Sequence, residues 1–157
     1  MKLTIGGEEQ IRTSVEELWA ALNDPDVLAR CIPGCNAMWE TGPDQYRVEM
    51  QLKVAAVGGT FEGSIALSDK DAPRSCRISV DGSGTLGHGK GAAKFELGAG
   101  EDGMSRLSYE GTGEVGGLVA GVGQRILSSV SRHLIKRFFN TLKGELENSS
   151  AKVAVSQ

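Results

Sequence analysis

The feature that most constrains this chain is an alternation of apolar and polar residues that persists for about eighty residues after Gly34. Within 46–54, for example, Tyr46, Val48 and Met50 alternate with charged or amide side chains. Because successive side chains of a strand point to opposite faces of a sheet, this period predicts antiparallel strands with one buried and one solvent-facing side. Glycine and proline residues near 42–43, 58–59, 72–73 and 102–103 divide the region into a meander of about six strands.

Two short helices are predicted before this meander. A first strand is expected over 2–12, and Ser14 and Glu17 after it have the spacing of a capping box. Asp24-Pro25 predicts the start of a second helix, because aspartate caps helices and proline is tolerated at the first helical position.

One long amphipathic helix is predicted after the meander. From 117 to about 147, apolar residues recur at every fourth position. The sequence therefore predicts an α+β fold, in which a curved antiparallel sheet of about seven strands wraps around a long C-terminal helix. We expect a single ligand-binding domain over 1–147 and a short flexible tail over 148–157.

Composition argues against several classes of protein. A formal net charge of −3 gives no overall attraction to nucleic acid, so no nucleic-acid partner is expected. No signal peptide and no apolar run of about eighteen residues is found, which favours a cytoplasmic protein. Cys31, Cys35 and Cys76 lack a second close pair or clustered histidines, so we expect reduced thiols and no metal site.

Glycine is unusually frequent and falls at informative positions. The chain has 22 glycines, about twice the average usage. By the alternation, the covered face of the sheet carries Gly63, Gly82, Gly84, Gly111 and Gly113, where a packed core would hold Val, Ile or Leu. Three interpretations stay open at this point: the glycines allow close approach of the helix, they bend a strongly curved sheet, or their missing side chains leave room for a ligand.

The residues around this space are almost all apolar, which favours a hydrophobic small molecule such as a quinone or lipid, bound without a covalent cofactor. Tyr109 supplies the one polar tip, and the turn containing Ile32 and Pro33 is expected to form the lip of the pocket. The residues predicted to bind the ligand are Leu22, Leu28, Ile32, Pro33, Met38, Met50, Phe61, Ile65, Ile78, Val80, Phe95, Tyr109, Gly113, Leu118, Val122, Ile126 and Val130.

The two histidines form no recognisable catalytic set. His88 lies among glycines that fit phosphate-binding patterns, but the residues that follow have the pattern of a strand rather than a helix, so a bent strand is predicted. His133 is interpreted as a solvated residue of the long helix. We therefore predict that the protein is not an enzyme. A small cyclase or hydrolase-like enzyme is the alternative, and a structural assembly factor with a filled core is a third hypothesis.

Four basic residues of the long helix, spaced by seven, four and seven positions, are predicted to share one stripe: Arg125, Arg132, Lys136 and Lys143. The stripe is either a solvated face or a docking strip for an acidic partner or an anionic membrane. Trp39, which the alternation places outward, is expected to add an aromatic contact at such an interface.

The segment 19–35, WAALNDPDVLARCIPGC, resembles the carbon monoxide dehydrogenase G-subunit family, within the polyketide-cyclase, START and birch-pollen-allergen-like superfamily. Glycine motifs at 57–63, 82–84 and 115–125 extend the resemblance over nearly the whole chain. The resemblance implies a helix-grip fold with a hydrophobic cavity and an accessory role beside a molybdenum hydroxylase. Similar proteins look like quinone or lipid binders that link the dehydrogenase to the membrane. Because no apolar run follows residue 147, we expect any membrane contact here to be peripheral.

Overall fold

The computed structural model describes the backbone of residues 1–54 and 57–156 and the side chains of residues 1–53 and 58–147. In chain order the elements are β1 (Lys2–Ile11), α1 (Val15–Leu22), α2 (Pro25–Cys31), β2 (Cys35–Gly42), β3 (Gln45–Val54), β4 (Val57–Asp71), β5 (Ser75–Gly84), β6 (Gly87–Ala99), β7 (Ser105–Gly116) and α3 (Gln124–Ser156). Short 3-10 helices span Glu101–Gly103 and Leu118–Val122. The predicted α+β fold, with two short helices after the first strand, is confirmed.

The seven strands form one sheet in the order β1-β7-β6-β5-β4-β3-β2, with every neighbouring pair antiparallel. Strands β2 to β7 follow one another as hairpins, so the predicted six-strand meander is confirmed. The predicted break at Gly58-Gly59 is wrong, because β4 begins at Val57 and runs through both glycines. The connection between β3 and β4 at 55–56 lies outside the described residues.

Both short helices begin where their capping residues predict. The Ser14 hydroxyl accepts a hydrogen bond from the backbone N–H of Glu17 at 3.1 Å. The Asp24 carboxylate accepts one from the first turn of α2 at 2.9 Å, and Pro25 is the first helical residue. The Glu17 carboxylate accepts from the Thr13 hydroxyl at 2.7 Å, so side chains on both sides of Ser14 stabilise the start of α1.

The long helix begins later than predicted. Residues 118–122 form a 3-10 helix, and α3 starts only at Gln124. Gly117 and Gly123 flank this turn with φ values of 84° and 101°, in the left-handed region that interrupts a right-handed helix. The backbone of α3 continues to Ser156, past the predicted end at 147. The flexible tail predicted for 148–157 concerns residues whose side chains lie outside the described part of the chain.

The predicted apolar stripe of the long helix does not form a single buried face. Four residues turn an α-helix by about 400°, so residues at every fourth position drift by about 40° per step and by about 200° over the five steps from Ile126 to Leu146. Leu146 is 8% exposed, whereas Ile126 is 44% exposed. The first turns of α3 bury Leu127 and Val130 instead.

The core consists of two apolar clusters on the inner face, which is the face of the sheet that carries Tyr46 and Ile65. The main cluster joins α1 and the C-terminal half of α3 to the strands, and it includes Leu18 and Leu142. The second cluster lies at the start of α3 and contains Leu3, Val119, Leu127 and Val130. Among the strands, α3 packs chiefly against β1.

Candidate functional site

Helix α3 lies close to one edge of the sheet. The Gln124 side-chain amide donates to the backbone oxygen of Lys2 at 3.0 Å, and the Lys143 ammonium lies 3.4 Å from the Glu9 carboxylate. Both contacts are with β1, which is an edge strand and the strand against which α3 chiefly packs. Ile126 is two residues after Gln124, or about 200° round the helix, and therefore lies on the flank opposite β1.

The inner face of β3 to β5 is consequently only partly covered. Val80 points inward in register with the buried Ile65, yet it is 43% exposed. Ile126 on the facing flank of α3 is 44% exposed. Met50 and Phe61, which are paired across β3 and β4, are half-buried. We call Met50, Phe61, Val80 and Ile126 the open apolar patch.

The structure divides the predicted ligand-binding residues into three groups. The buried residues are Leu22, Leu28, Ile65, Phe95 and Val130. The half-buried residues are Ile32, Pro33, Met38, Met50, Phe61, Ile78, Tyr109, Gly113 and Val122. The exposed residues are Val80, Leu118 and Ile126, of which Leu118 is 75% exposed. The buried group fills the core, so only the other two groups offer surface to a ligand, and their role in binding stays a prediction.

The inward glycines are of two kinds. At Gly63, Gly84 and Gly111, an added Cβ would collide with a backbone oxygen of the neighbouring strand. These glycines are required by the close approach of the strands. At Gly82 and Gly113, the nearest atom to an added Cβ would be 3.4 Å away, an ordinary contact. The backbone does not require glycine at these two positions, which favours the interpretation that their missing side chains leave room for a ligand.

Two polar side chains of the inner face, Tyr109 and Glu9, lie near α3. The Tyr109 ring lies 5.3 Å from the Phe139 ring. Burial, and to a lesser extent the Glu9 carboxylate, raises the pKa of Tyr109, so the phenol is a hydrogen-bond donor at neutral pH and not a base. Glu9 itself pairs with Lys143.

The three cysteines are free thiols, and both histidines are exposed. All three cysteines are free, and burial raises the pKa of Cys31 to about 11 and also raises the pKa of Cys35 and Cys76. In the described parts of the chain, no three His, Cys, Asp or Glu residues are placed to hold a metal ion. His88 is exposed on β6, which confirms the predicted strand, and His133 is exposed on α3.

The predicted basic stripe is partly available. Arg125, Arg132 and Lys136 are exposed, and helix geometry places them within about 40° of one another around α3. Lys143 lies on the same stripe but pairs with Glu9, so its charge is partly neutralised. Trp39 is 46% exposed and points outward, as predicted. Of the helices that the structure describes, none has the length and apolarity needed to cross a membrane.

Two surface cavities lie on the outer face of the sheet. One has a volume of about 570 Å³ and crosses β4 to β7 and β1, where the outward-facing Asp81, Lys90 and Glu114 line it. The other, of about 510 Å³, adjoins it at Lys90 and includes His88. Neither is enclosed between the sheet and α3, so neither is the internal cavity that the sequence predicts.

A third cavity of about 400 Å³ lies between α3 and the turn after α2. The predicted lip residues Ile32 and Pro33 line it, as do Arg137 and Thr141 of α3. Arg137 and Thr141 are not among the site residues predicted from the sequence. Of the basic residues of α3, that prediction includes only those that share one stripe, and Arg137 lies outside that stripe. The spacing of four residues between Arg137 and Thr141, which places both on one flank of a helix, is the signal that would have found them.

Solved structures with the same architecture support the fold. A conserved protein from Geobacillus kaustophilus is similar at 34% identity, with 94% of this chain and 97% of that chain covered and a TM-score of 0.91. A START superfamily protein from Mycobacterium smegmatis shares 15% identity, with coverages of 92% and 97% and a TM-score of 0.69. The Zhui aromatase/cyclase from Streptomyces sp. R1128 also shares 15% identity, with coverages of 94% and 94% and a TM-score of 0.66. The predicted helix-grip fold is confirmed.

The sequence itself matches a known family over most of its length. No curated protein matches the chain. The family model for the G subunit of carbon monoxide dehydrogenase (CoxG) matches residues 7–147. This range contains the 19–35 segment and the glycine motifs that carry the resemblance. The chain therefore belongs to the carbon monoxide dehydrogenase G-subunit (CoxG) family.

Proposed function

We propose that this protein is an accessory subunit of a molybdenum hydroxylase system that binds a hydrophobic small molecule, such as a quinone or lipid, at the open apolar patch. The observation that carries the proposal is the exposure of Val80 and Ile126, 43% and 44%, on the side of the sheet that should be covered. A guest that removes this surface from water gains about 25 cal/mol for each Å² of apolar area. The family name supports the association with a carbon monoxide dehydrogenase-like partner.

The chemistry of the inner face suits a guest that is apolar over most of its surface. Met50 and Phe61 form part of the strand side of the patch, and Ile126 forms its helix side. Tyr109 is on the same face of the sheet and keeps its proton, so it can donate one hydrogen bond to a quinone or ester carbonyl. A charged metabolite would lose its hydration here without gaining a counter-charge.

A small cavity enzyme is the second candidate, because the fold is shared with an aromatase/cyclase. General acid–base catalysis needs polar groups that converge on one reacting atom. Among the inner-face groups that the structure describes, burial raises the pKa of both Tyr46 and Tyr109, and Glu9 is paired with Lys143. Binding without turnover is therefore the favoured mechanism.

The exposed basic residues of α3 provide a way to hold the carrier near its donor or acceptor. Arg125, Arg132 and Lys136 lie on one stripe, opposite the buried Leu127 side of the helix. Such a stripe suits the acidic surface of a partner dehydrogenase or the anionic inner face of the cytoplasmic membrane, where each residue adds about 1 kcal/mol. In this proposal the carrier loads and unloads its guest while docked there, and links the dehydrogenase to the membrane pool of electron acceptors.

The test of binding begins with native mass spectrometry and solvent extraction of the purified protein, followed by titration with a short-chain quinone. Gly82→Leu and Gly113→Leu add side chains to the inner face without a backbone collision. We expect each to weaken binding by about tenfold or more, because the new side chain occupies the guest's space. Gly98→Leu is the matched control, since an added Cβ there has no neighbour within 4 Å and the position faces outward.

Unchanged binding in both inward variants, with circular dichroism showing an intact fold, would contradict the placement of the guest. Chemical conversion of the bound molecule by the protein alone would favour the enzyme instead.

A further inference from the structure

The cavity between α3 and the turn after α2 has a distinct chemistry from the open apolar patch. Its volume is about 400 Å³, and residues 29–35 form one wall. Arg137 and Thr141, one turn apart on α3, form the other wall. Arg30, Arg137 and Thr141 bring hydrogen-bond donors to this lining, in contrast to the mainly apolar inner face of the sheet.

The charge of the lining is positive. Arg30 and Arg137 both line the cavity, and no Asp or Glu does so among the described residues. The Arg30 guanidinium is held in place by two hydrogen bonds to the Glu145 carboxylate, at 2.6 and 3.1 Å. Arg137 is exposed and makes no hydrogen bond or ion pair with the side chains that the structure describes. One guanidinium is thus fixed, and the other remains available to a ligand.

The two thiols in the lining do not oppose an anion. Cys31 and Cys35 both border the cavity. Burial raises the pKa of Cys31 to about 11 and also raises the pKa of Cys35. Both thiols are therefore uncharged at neutral pH, so neither a carboxylate nor a thiolate lines this cavity in the described part of the chain.

We propose that this cavity is a binding site for a phosphate-type oxyanion, with Arg137 and Thr141 as its principal donors. Arg30, whose charge Glu145 partly neutralises, lies beside them. A guanidinium presents a planar fork of N–H groups that matches two oxygens of a phosphate, and a hydroxyl donates to a third. The site does not depend on the hydrophobic guest. It goes beyond the proposed function by giving the protein a second, polar ligand.

Occupation of the site would also add a link between α2 and α3, next to the turn that leads into β2. Ile32 in this turn packs against the main core cluster, and Pro33 borders the cavity. A bound oxyanion between Arg30 and Arg137 would join α2 to α3, in addition to the Arg30–Glu145 ion pair. The phosphate-type group can belong to a phospholipid headgroup or to a small soluble phosphate, and the two sources are separated by experiment.

The test uses the full chain and four probes: inorganic phosphate and pyrophosphate by isothermal titration calorimetry, and vesicles of phosphatidylglycerol or phosphatidylcholine by co-sedimentation. Arg137→Gln and Thr141→Val remove the principal donors at exposed positions. Arg77→Gln, at an exposed position of β5, is the matched control. We expect Arg137→Gln to weaken binding by about tenfold or more, Thr141→Val to weaken it less, and Arg77→Gln to leave it unchanged.

Binding of phosphate or pyrophosphate with this pattern supports a soluble ligand. The same pattern with phosphatidylglycerol vesicles alone supports a lipid headgroup. Absence of binding to every probe, or equal losses for Arg137→Gln and Arg77→Gln, would overturn the proposal. Quinone binding is measured in parallel, and its retention in Arg137→Gln keeps the two proposals distinguishable.

Discussion

At the scale of single residues, glycine has two roles on the inner face of the sheet: it allows two strands to approach closely, or it leaves space. Gly63 and Gly82 are register partners on neighbouring strands. A Cβ at Gly63 would meet the backbone oxygen of Asp81, whereas a Cβ at Gly82 would lie 3.4 Å from its nearest neighbour. Strand curvature therefore requires the first glycine, while the second leaves space that the backbone does not demand.

We expect Gly63→Ala to lower the free energy of unfolding by about 1–3 kcal/mol, because the strands must separate to accommodate the methyl group. Gly82→Ala should change it by less than about 1 kcal/mol, since alanine restricts the unfolded chain and fits the native strand. Urea denaturation of the two variants provides the comparison. Equal losses of stability would contradict the division of the inward glycines into two kinds.

At the scale of elements, the direction in which α3 faces decides what the sheet leaves open. The contacts of Gln124 and Lys143 with β1 fix one flank of the helix, and Ile126 lies on the other. Adjacent residues on a helix are about 100° apart, so Leu127 is buried at 5% exposure while Ile126 remains 44% exposed. The apolar side of α3 is therefore wider than the part of it that packs against the rest of the protein, and Ile126 lies on the part that does not.

We predict that Ile126→Ser lowers the free energy of unfolding by less than about 1 kcal/mol, because much of this side chain already contacts water. Leu127→Ser should lower it by more than about 2 kcal/mol, since it replaces buried apolar contacts with a hydroxyl. Thermal or urea denaturation measures both variants. If Ile126→Ser proved the more destabilising, the helix would face the sheet differently from the structure described above.

At the scale of the whole molecule, the offset of α3 toward β1 separates three surfaces. The open apolar patch lies on β3 to β5 and the flank of α3 that carries Ile126. The positively charged cavity lies beside α2, and the basic stripe faces solvent. A carrier can in this way hold an apolar guest on one side while a charged surface of its partner contacts another.

Reversing two charges of the basic stripe, Arg132→Glu with Lys136→Glu, should weaken binding to anionic vesicles or to an acidic partner dehydrogenase and reduce the salt dependence of that binding. The melting temperature should stay the same, because both side chains are exposed. Lys53→Glu with Arg77→Glu is the matched control, with the same change of charge at exposed positions outside α3. If the two double variants bound equally well, the stripe would be only a solvated face.

The sequence by itself determined the strands apart from the break between β3 and β4, their inward faces, the starts of both short helices and the family. These features depend on neighbours in the chain: the period of two, the caps at Ser14 and Asp24, and the 19–35 segment. Only the tertiary structure decided where α3 begins, which of its residues are buried and which part of the inner face stays open. Alternation in a strand predicts which face of the sheet a side chain occupies, but not how far that side chain lies from α3. In α3, residues at every fourth position do not stay on one face, because the helix has 3.6 residues per turn. The position of α3 follows from contacts distant in sequence, such as Lys143 with Glu9, which no local pattern records.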